Sequence, residues 1–454
     1  MVTGTSARWR VRPHEYMREL VRTYGPAVRY HYAFGHYGYL LTHPEHYRRI
    51  LHQNQRNYDK IHPMYDSLRI ALGNGLVTAN GDVWLRHRRA MQPSFHRSLL
   101  DDIGRVVVAR THAMLERWET QRRAAAPKTS SRSELLLDAD DEMTALTLAI
   151  VGDALFSVDL SSRTASVASA FSTFSREMIS VTTRPLAWLT IRYPVLPSVR
   201  RLHRSAATLR AVADAVIDER RSRLRTDTPA TDLLGVLLEG SGLTEPFQRD
   251  EVRDEVSTLM LAGHETSATA LTWALHLVGE HPGVERKLGR ELDEVLAGRP
   301  PTAADLEALA YTRAVASEAM RLYPPIWAMD RRAVADDVVG DVEIPAGAFI
   351  SLSPYVTHRM PEFWDEPERF VPERFMPNAR PIERLAFLPF STGARGCIGE
   401  HFAMMEIVLV LATVLQRYRL RTNPDCAIVA NPLITLRPQA PVRMWARRIA
   451  RSGG

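Results

Sequence analysis

Near the C-terminus, Phe390-Ser-Thr-Gly393-Ala-Arg395-Gly396-Cys397-Ile-Gly399 sets one of the chain's two cysteines among glycines, directly before an apolar helical pattern. A cysteine placed this way can be a reactive nucleophile, a buried small hydrophobe, or a thiolate ligand to a single metal centre. The glycines favour the ligand, because they let backbone approach closely and turn N–H groups toward a sulfur. Arg395 adds a fixed positive charge that would lower the cysteine pKa or grip an anionic group.

A second constellation is Ala262-Gly263-His264-Glu265-Thr266-Ser267, polar residues between the apolar flanks Leu259-Met-Leu and Ala270-Leu. Glycine costs ~1 kcal/mol relative to alanine in a helix interior, so its presence needs a reason. Gly263 would let a flat cofactor lie against the backbone. Thr266 could bond back to the Ala262 carbonyl and leave room for a small ligand, and Glu265 could relay protons. A solvated turn on a surface helix would carry the same residues, but the apolar flanks argue against one.

Trp84 and Arg88 are four apart on a helical pattern, so indole and guanidinium can converge on one anion. Alone, this segment reads more readily as a solvated basic face with a half-buried tryptophan. Glu318 and Arg321 form an i,i+3 pair that is ordinarily solvated and worth a few tenths of a kcal/mol. The abrupt stop at Tyr323-Pro324-Pro325 gives the pair more weight, as does Arg374 in Pro372-Glu-Arg-Phe375.

These residues need elements to hold them. Residues 248–281 read as the longest helix, about 50 Å at ~1.5 Å per residue. Helices are also expected at 13–24, from Pro44, from Trp84, and over 99–122, 134–156, 200–225, 282–296, 306–322 and the stretch after Gly399. Two strands are expected around Val28 and Tyr37, and a β-hairpin over 427–445. Residues 58–77 read as a long loop walling a pocket, 124–133 as an exposed loop, and 171–197 as a mobile lid. The coil from 354 to 389 has no ladder, so side chains must satisfy its backbone.

The 454 residues would allow about three domains, but no stretch reads as a linker, so one large domain is the alternative. With 45% hydrophobic and 24% charged residues the chain is globular, with ample core. Two cysteines exclude a disulfide framework, and no zinc-type Cys/His spacing occurs. The net charge of +6 is carried almost wholly by arginine, with lysine only at 60, 128 and 287. Acidic residues are interleaved and no nucleic-acid module occurs, so nucleic acid is not an expected partner. No signal core or transmembrane anchor is expected at the N-terminus, and the chain reads as cytoplasmic.

Taken in order, these motifs resemble the cytochrome P-450 family of haem-thiolate monooxygenases, of soluble bacterial type, over nearly the whole chain. The resemblance implies a mainly α fold with small β-sheets (α+β), as a single haem-thiolate domain over 1–454 without a fused reductase. It implies haem b (iron protoporphyrin IX) between the long helix and the cysteine helix, with Cys397 as axial ligand. It also assigns Phe390, Gly393, Arg395 and Gly399 to the haem-binding loop, and Ala262 and Gly263 to the haem-facing helix. Trp84, Arg88, Arg331 and Arg395 become propionate ligands, and Thr266 and Glu265 the pair that handles oxygen and protons. Glu318, Arg321 and Arg374 match the family's buried ion network.

The activity implied is hydroxylation or epoxidation of an apolar small molecule such as a fatty acid, terpene, steroid or polyketide. It would use O2 and electrons from an external ferredoxin or flavodoxin with its reductase, and the chain is expected to act as a monomer. Two alternatives keep the cofactor: a peroxide-driven peroxygenase and a non-catalytic haem protein that binds a ligand. The intact Glu265–Thr266 pair speaks against both.

Overall fold

The apolar run around Gly263 forms one helix, Arg249–Glu280, in the computed structural model, which describes residues 2–3, 7–33, 36–96, 100–125, 134–182, 191, 193–224, 232–240 and 246–449. Its start is fixed by a capping box in which Gln248 and Glu251 satisfy each other's backbone N–H groups. The helix is buried on nearly every side, as a helix apolar all round must be. Among the described helices that pack against it are Ala139–Val151, Pro197–Leu224, Ala310–Leu322 and Glu400–Leu415. A Cβ on Gly263 would lie 2.8 Å from Val151 Cγ2, so glycine is required there for the approach of two helices.

The chain is mainly helical, with small separate sheets. Among the described residues the largest sheet has six strands, in the order Val2–Thr3, Ala27–Ala33, His36–Leu41, Phe349–Leu352, Met329–Ala333, Tyr58–Asp59. The antiparallel pair expected near Val28 and Tyr37 is present, and it is extended by a parallel pairing of His36–Leu41 with Phe349–Leu352. Met329–Ala333 alternates buried and half-buried residues, which places Met329, Arg331 and Ala333 on the inner side.

Several expectations are corrected. Residues 58–77 are not a loop: they hold the short strand Tyr58–Asp59 and the helix Pro63–Leu72, started by Pro63 and by the His62 ring accepting from Met64 N–H. The first part of 134–156 is the strand Leu135–Asp138, which pairs with Arg443–Arg448, so the C-terminal hairpin is confined to Ala430–Pro432 and Leu436–Pro438. The supposed lid begins as the second half of the helix Thr164–Thr182, where Phe171 and Phe174 are core residues. Residues 183–190 of that lid, and most of the exposed loop expected at 124–133, lie outside the described residues. No helix among the described residues is long and apolar enough to cross a membrane.

Candidate functional site

The cysteine loop is held by its own backbone. Cys397 N–H donates to the Phe390 carbonyl at 2.9 Å and Gly396 N–H to the Gly393 carbonyl at 3.0 Å. Gly393 sits at φ +73°, and a Cβ there would meet the Leu51 carbonyl oxygen at 2.0 Å, so only glycine fits. The Cys397 thiol opens into an interior cavity of about 1190 Å3. Burial pushes its pKa up, against which the Gly399 N–H hydrogen bond and the Arg88 guanidinium work.

The cavity brings together residues far apart in sequence. Ala262, Gly263 and Thr266 line it from the long helix, Arg331 from the sheet, and Phe390, Arg395, Cys397 and Gly399 from the cysteine loop. Thr266 Oγ1 donates to the Ala262 carbonyl at 2.7 Å, the back-bond anticipated from the spacing. Glu265, Gly393, Trp84 and Arg88 are not among the lining residues. Arg88 donates to the Gly396 carbonyl at 2.9 Å, and Trp84 carries the Arg395 guanidinium 4.2 Å above its ring. Arg88 thus braces the cysteine loop, and Trp84 supports one of its cations.

The cations on the cavity wall test whether a haem fits. Arg331 Nη1 bonds the Tyr65 hydroxyl and the Asp330 carbonyl, Arg395 Nη1 the Ala79 carbonyl, and Lys60 Nζ the Val77 carbonyl. All three line the cavity, and these hydrogen-bond partners are neutral. Asp59, a carboxylate whose charge acts on Arg395, is already paired with Arg332. Burial and then Arg331 lower Arg395 to about 10, and burial with Arg331, Arg395 and Arg69 holds Lys60 well below the usual lysine range. Buried cations that depress one another call for anions. Two propionate carboxylates at one edge of a haem, with a thiol to meet its iron, match this donor set. Lys60 and Tyr65 were not singled out from sequence; the one available signal was that Lys60 is one of three lysines in the chain.

A buried network ties the helix Ala310–Leu322 to the coil before the cysteine loop. Arg321 and Glu318 are both 0% exposed and bonded through both nitrogen–oxygen pairs, at 2.6 and 2.8 Å. Arg321 also donates to the carbonyls of His358, Pro367 and Arg369, and Glu318 accepts from Val371 N–H and Arg374 Nε. His358, held neutral by burial with its pKa lowered to about 3, accepts Leu388 N–H at Nε2. Side chains therefore satisfy the coil's backbone, as its lack of a ladder requires.

Glu406, also missed from sequence, is fully buried on the cysteine helix with neither oxygen hydrogen-bonded in normal geometry among the described residues. Burial raises its pKa to about 8, partly offset by the Ser267 hydroxyl. A carboxyl with a raised folded pKa binds more protons folded than unfolded, so stability falls as pH rises between the unfolded value and about 8. Glu406→Gln is expected to remove roughly 3–5 kcal/mol of that decline between pH 5 and 8. Urea titrations of both proteins at a series of pH values check this; parallel pH profiles would refute it.

The family model described as Cytochrome P-450 matches residues 4–441. Cyclooctat-9-en-7-ol 5-monooxygenase of Streptomyces melanosporofaciens is 36% identical, over 86% of this chain and 82% of its own. Cyclooctatin synthase of the same organism is 35% identical, over 89% of this chain and 85% of its own. Pentalenene oxygenase of Streptomyces avermitilis is 35% identical, over 92% and 88%.

Proposed function

The chain belongs to the cytochrome P-450 family, a haem-b monooxygenase acting on an apolar molecule with O2 and supplied electrons, and on that footing we propose that its substrate is a cyclic terpenoid and that Cys397 is the axial ligand. The observation that carries the reading is the single cavity on which Cys397, Thr266, the cation cluster and an apolar wall meet. That wall includes Leu68, Leu155, Leu259, Ile326, Leu433 and Ile434, a broad aliphatic surface suited to a compact polycycle. The similar proteins named for cyclooctatin and pentalenene support the same class.

When bound, the haem supplies oxygen activation and the transfer of one oxygen atom into a C–H bond. The chain's residues do the rest. The Gly399 N–H bond to the Cys397 sulfur would steady its charge, and Lys60, Arg331 and Arg395 would hold and neutralise the haem propionates. Thr266, with its hydroxyl on the cavity wall, holds a proton at Oγ1 where oxygen is consumed. The apolar wall orients the substrate and keeps bulk water away.

The chain forms one haem-thiolate domain and takes electrons from a ferredoxin or flavodoxin docking on the cysteine side. Exposed Arg89, Arg380 and Arg384 are candidate contacts, whereas Arg86 is committed to Glu251. It works as a monomer in the cytoplasm, where Cys397 and Cys426, neither in a disulfide, stay reduced.

Titration of the holoenzyme with pentalenene and other cyclic terpenes is expected to shift the haem spin state. A shift with linear fatty acids and none with cyclic terpenes would overturn the substrate class. Thr266→Ala is expected to lower product formed per electron by about tenfold, the remainder appearing as hydrogen peroxide. Unchanged coupling would deny Thr266 its role.

A further inference from the structure

Glu265 adjoins Thr266 in sequence yet is turned away from the cavity and held there. Its side chain is 2% exposed, and Oε1 accepts from Thr435 Oγ1 at 2.8 Å. Arg437 lies 3.4 Å from the same carboxylate and is shared with Asp140 at 2.6 Å. His264 Nε2 is 4.0 Å away and is kept neutral by burial, with its pKa lowered to about 4. Burial raises the Glu265 pKa, while Arg437 and then Thr435 favour the charged form.

Thr435 and Arg437 belong to the hairpin Ala430–Pro438, whose preceding residues Asn431, Pro432, Leu433 and Ile434 line the cavity. Thr435 itself does not line it. One peptide bond therefore separates a side chain that meets whatever fills the cavity from the side chain that holds the acid. The hairpin is pinned on both sides of that bond. Trp327 Nε1 donates to the Leu433 carbonyl, Trp273 Nε1 to the Leu436 carbonyl, and Leu436 N–H to the Pro325 carbonyl. Displacement of Ile434 is thus absorbed locally, at Thr435.

We propose that Thr435 and Arg437 are positioning residues that latch Glu265 outside the cavity, and that an apolar occupant pressing on Leu433 and Ile434 releases it toward Thr266. The inference rests on the oxygenase reading above, and deepens it by coupling substrate binding to proton supply. No covalent bond changes; a proton carrier changes position. Linkage gives the signature. An occupant that must break the Thr435–Glu265 bond spends binding energy on it, so deleting the bond tightens binding. A merely structural bond behaves oppositely, because its loss loosens the cavity wall and weakens binding.

The test uses the holoenzyme with Thr435→Val, which keeps shape but removes the donor, and Thr435→Ser, which keeps the donor. Calorimetric titration with pentalenene is expected to show Thr435→Val binding about threefold to tenfold tighter than wild type, and Thr435→Ser unchanged. Unchanged or weaker binding by Thr435→Val overturns the proposal. A second readout needs neither occupant nor turnover: the infrared carboxyl band of Glu265, assigned by subtracting the Glu265→Gln spectrum. That band is expected to shift in Thr435→Val and to return in Thr435→Ser; an unmoved band overturns the latch. If wild type binds neither pentalenene nor any cyclic terpene, the terpenoid reading fails, and the infrared band alone decides the latch.

Discussion

Replacing Glu318 with glutamine is expected to cost roughly 3–5 kcal/mol of stability and to release haem from much of the purified protein. Glu318 and Arg321 are wholly buried, and the pair was assembled with its desolvation offset by mutual bonds and by backbone groups. Removing only the negative charge leaves the Arg321 guanidinium buried with carbonyl partners alone. The damage is not local. Arg321 holds the His358 carbonyl, His358 holds Leu388 N–H, and two residues on Phe390 receives Cys397 N–H. Urea unfolding and haem content per chain read the two effects. A loss below ~1 kcal/mol with full haem content would show that the network does not support the cysteine loop. Arg321→Lys is expected to behave nearly as badly, because a lysine cannot reproduce the two-bond grip and the three carbonyl contacts.

Cys397→Ser should abolish substrate oxidation while leaving the fold within about 1 kcal/mol of wild type. The two side chains are close in shape, and Cys397 faces the cavity, so little packing is lost. What disappears is the thiolate, the softer and more strongly donating ligand. Turnover with an electron donor and urea unfolding measure the two halves. Retained turnover would remove Cys397 from the site; lost turnover with a collapsed fold would make the residue structural.

Much of this was legible because local chemistry and global role coincide. Glycines around Cys397 mark a loop where backbone must come close, and Gly393 meets that need at a positive φ against Leu51. The long helix was legible because apolar residues flank its polar centre on both sides. Gly263 was read as making room for a flat cofactor, and although it lines the cavity, its closest constraint is the neighbouring helix at Val151. The helix Pro63–Leu72 is masked in the sequence because Gly73 and Gly75 punctuate the segment as they would a loop, although Pro63 in its first turn is a helix-start signal.

Residue directions were less accessible. Consecutive helical residues leave the backbone about 100° apart, so Glu265 and Thr266 start in different directions, yet spacing does not say which one meets the cavity. The answer depends on Thr435 and Arg437, some 170 residues away. Lys60 and Glu406 were hidden for the same reason: their importance comes from what surrounds them in space.

The most direct test of the account is the spectrum of the reduced wild-type holoenzyme under carbon monoxide. A haem held by the Cys397 thiolate would give the strongly red-shifted Soret band of a haem-thiolate centre. A folded, haem-loaded protein showing only the shorter-wavelength band of nitrogen-ligated haem would contradict the assignment of Cys397 and the mechanism built on it.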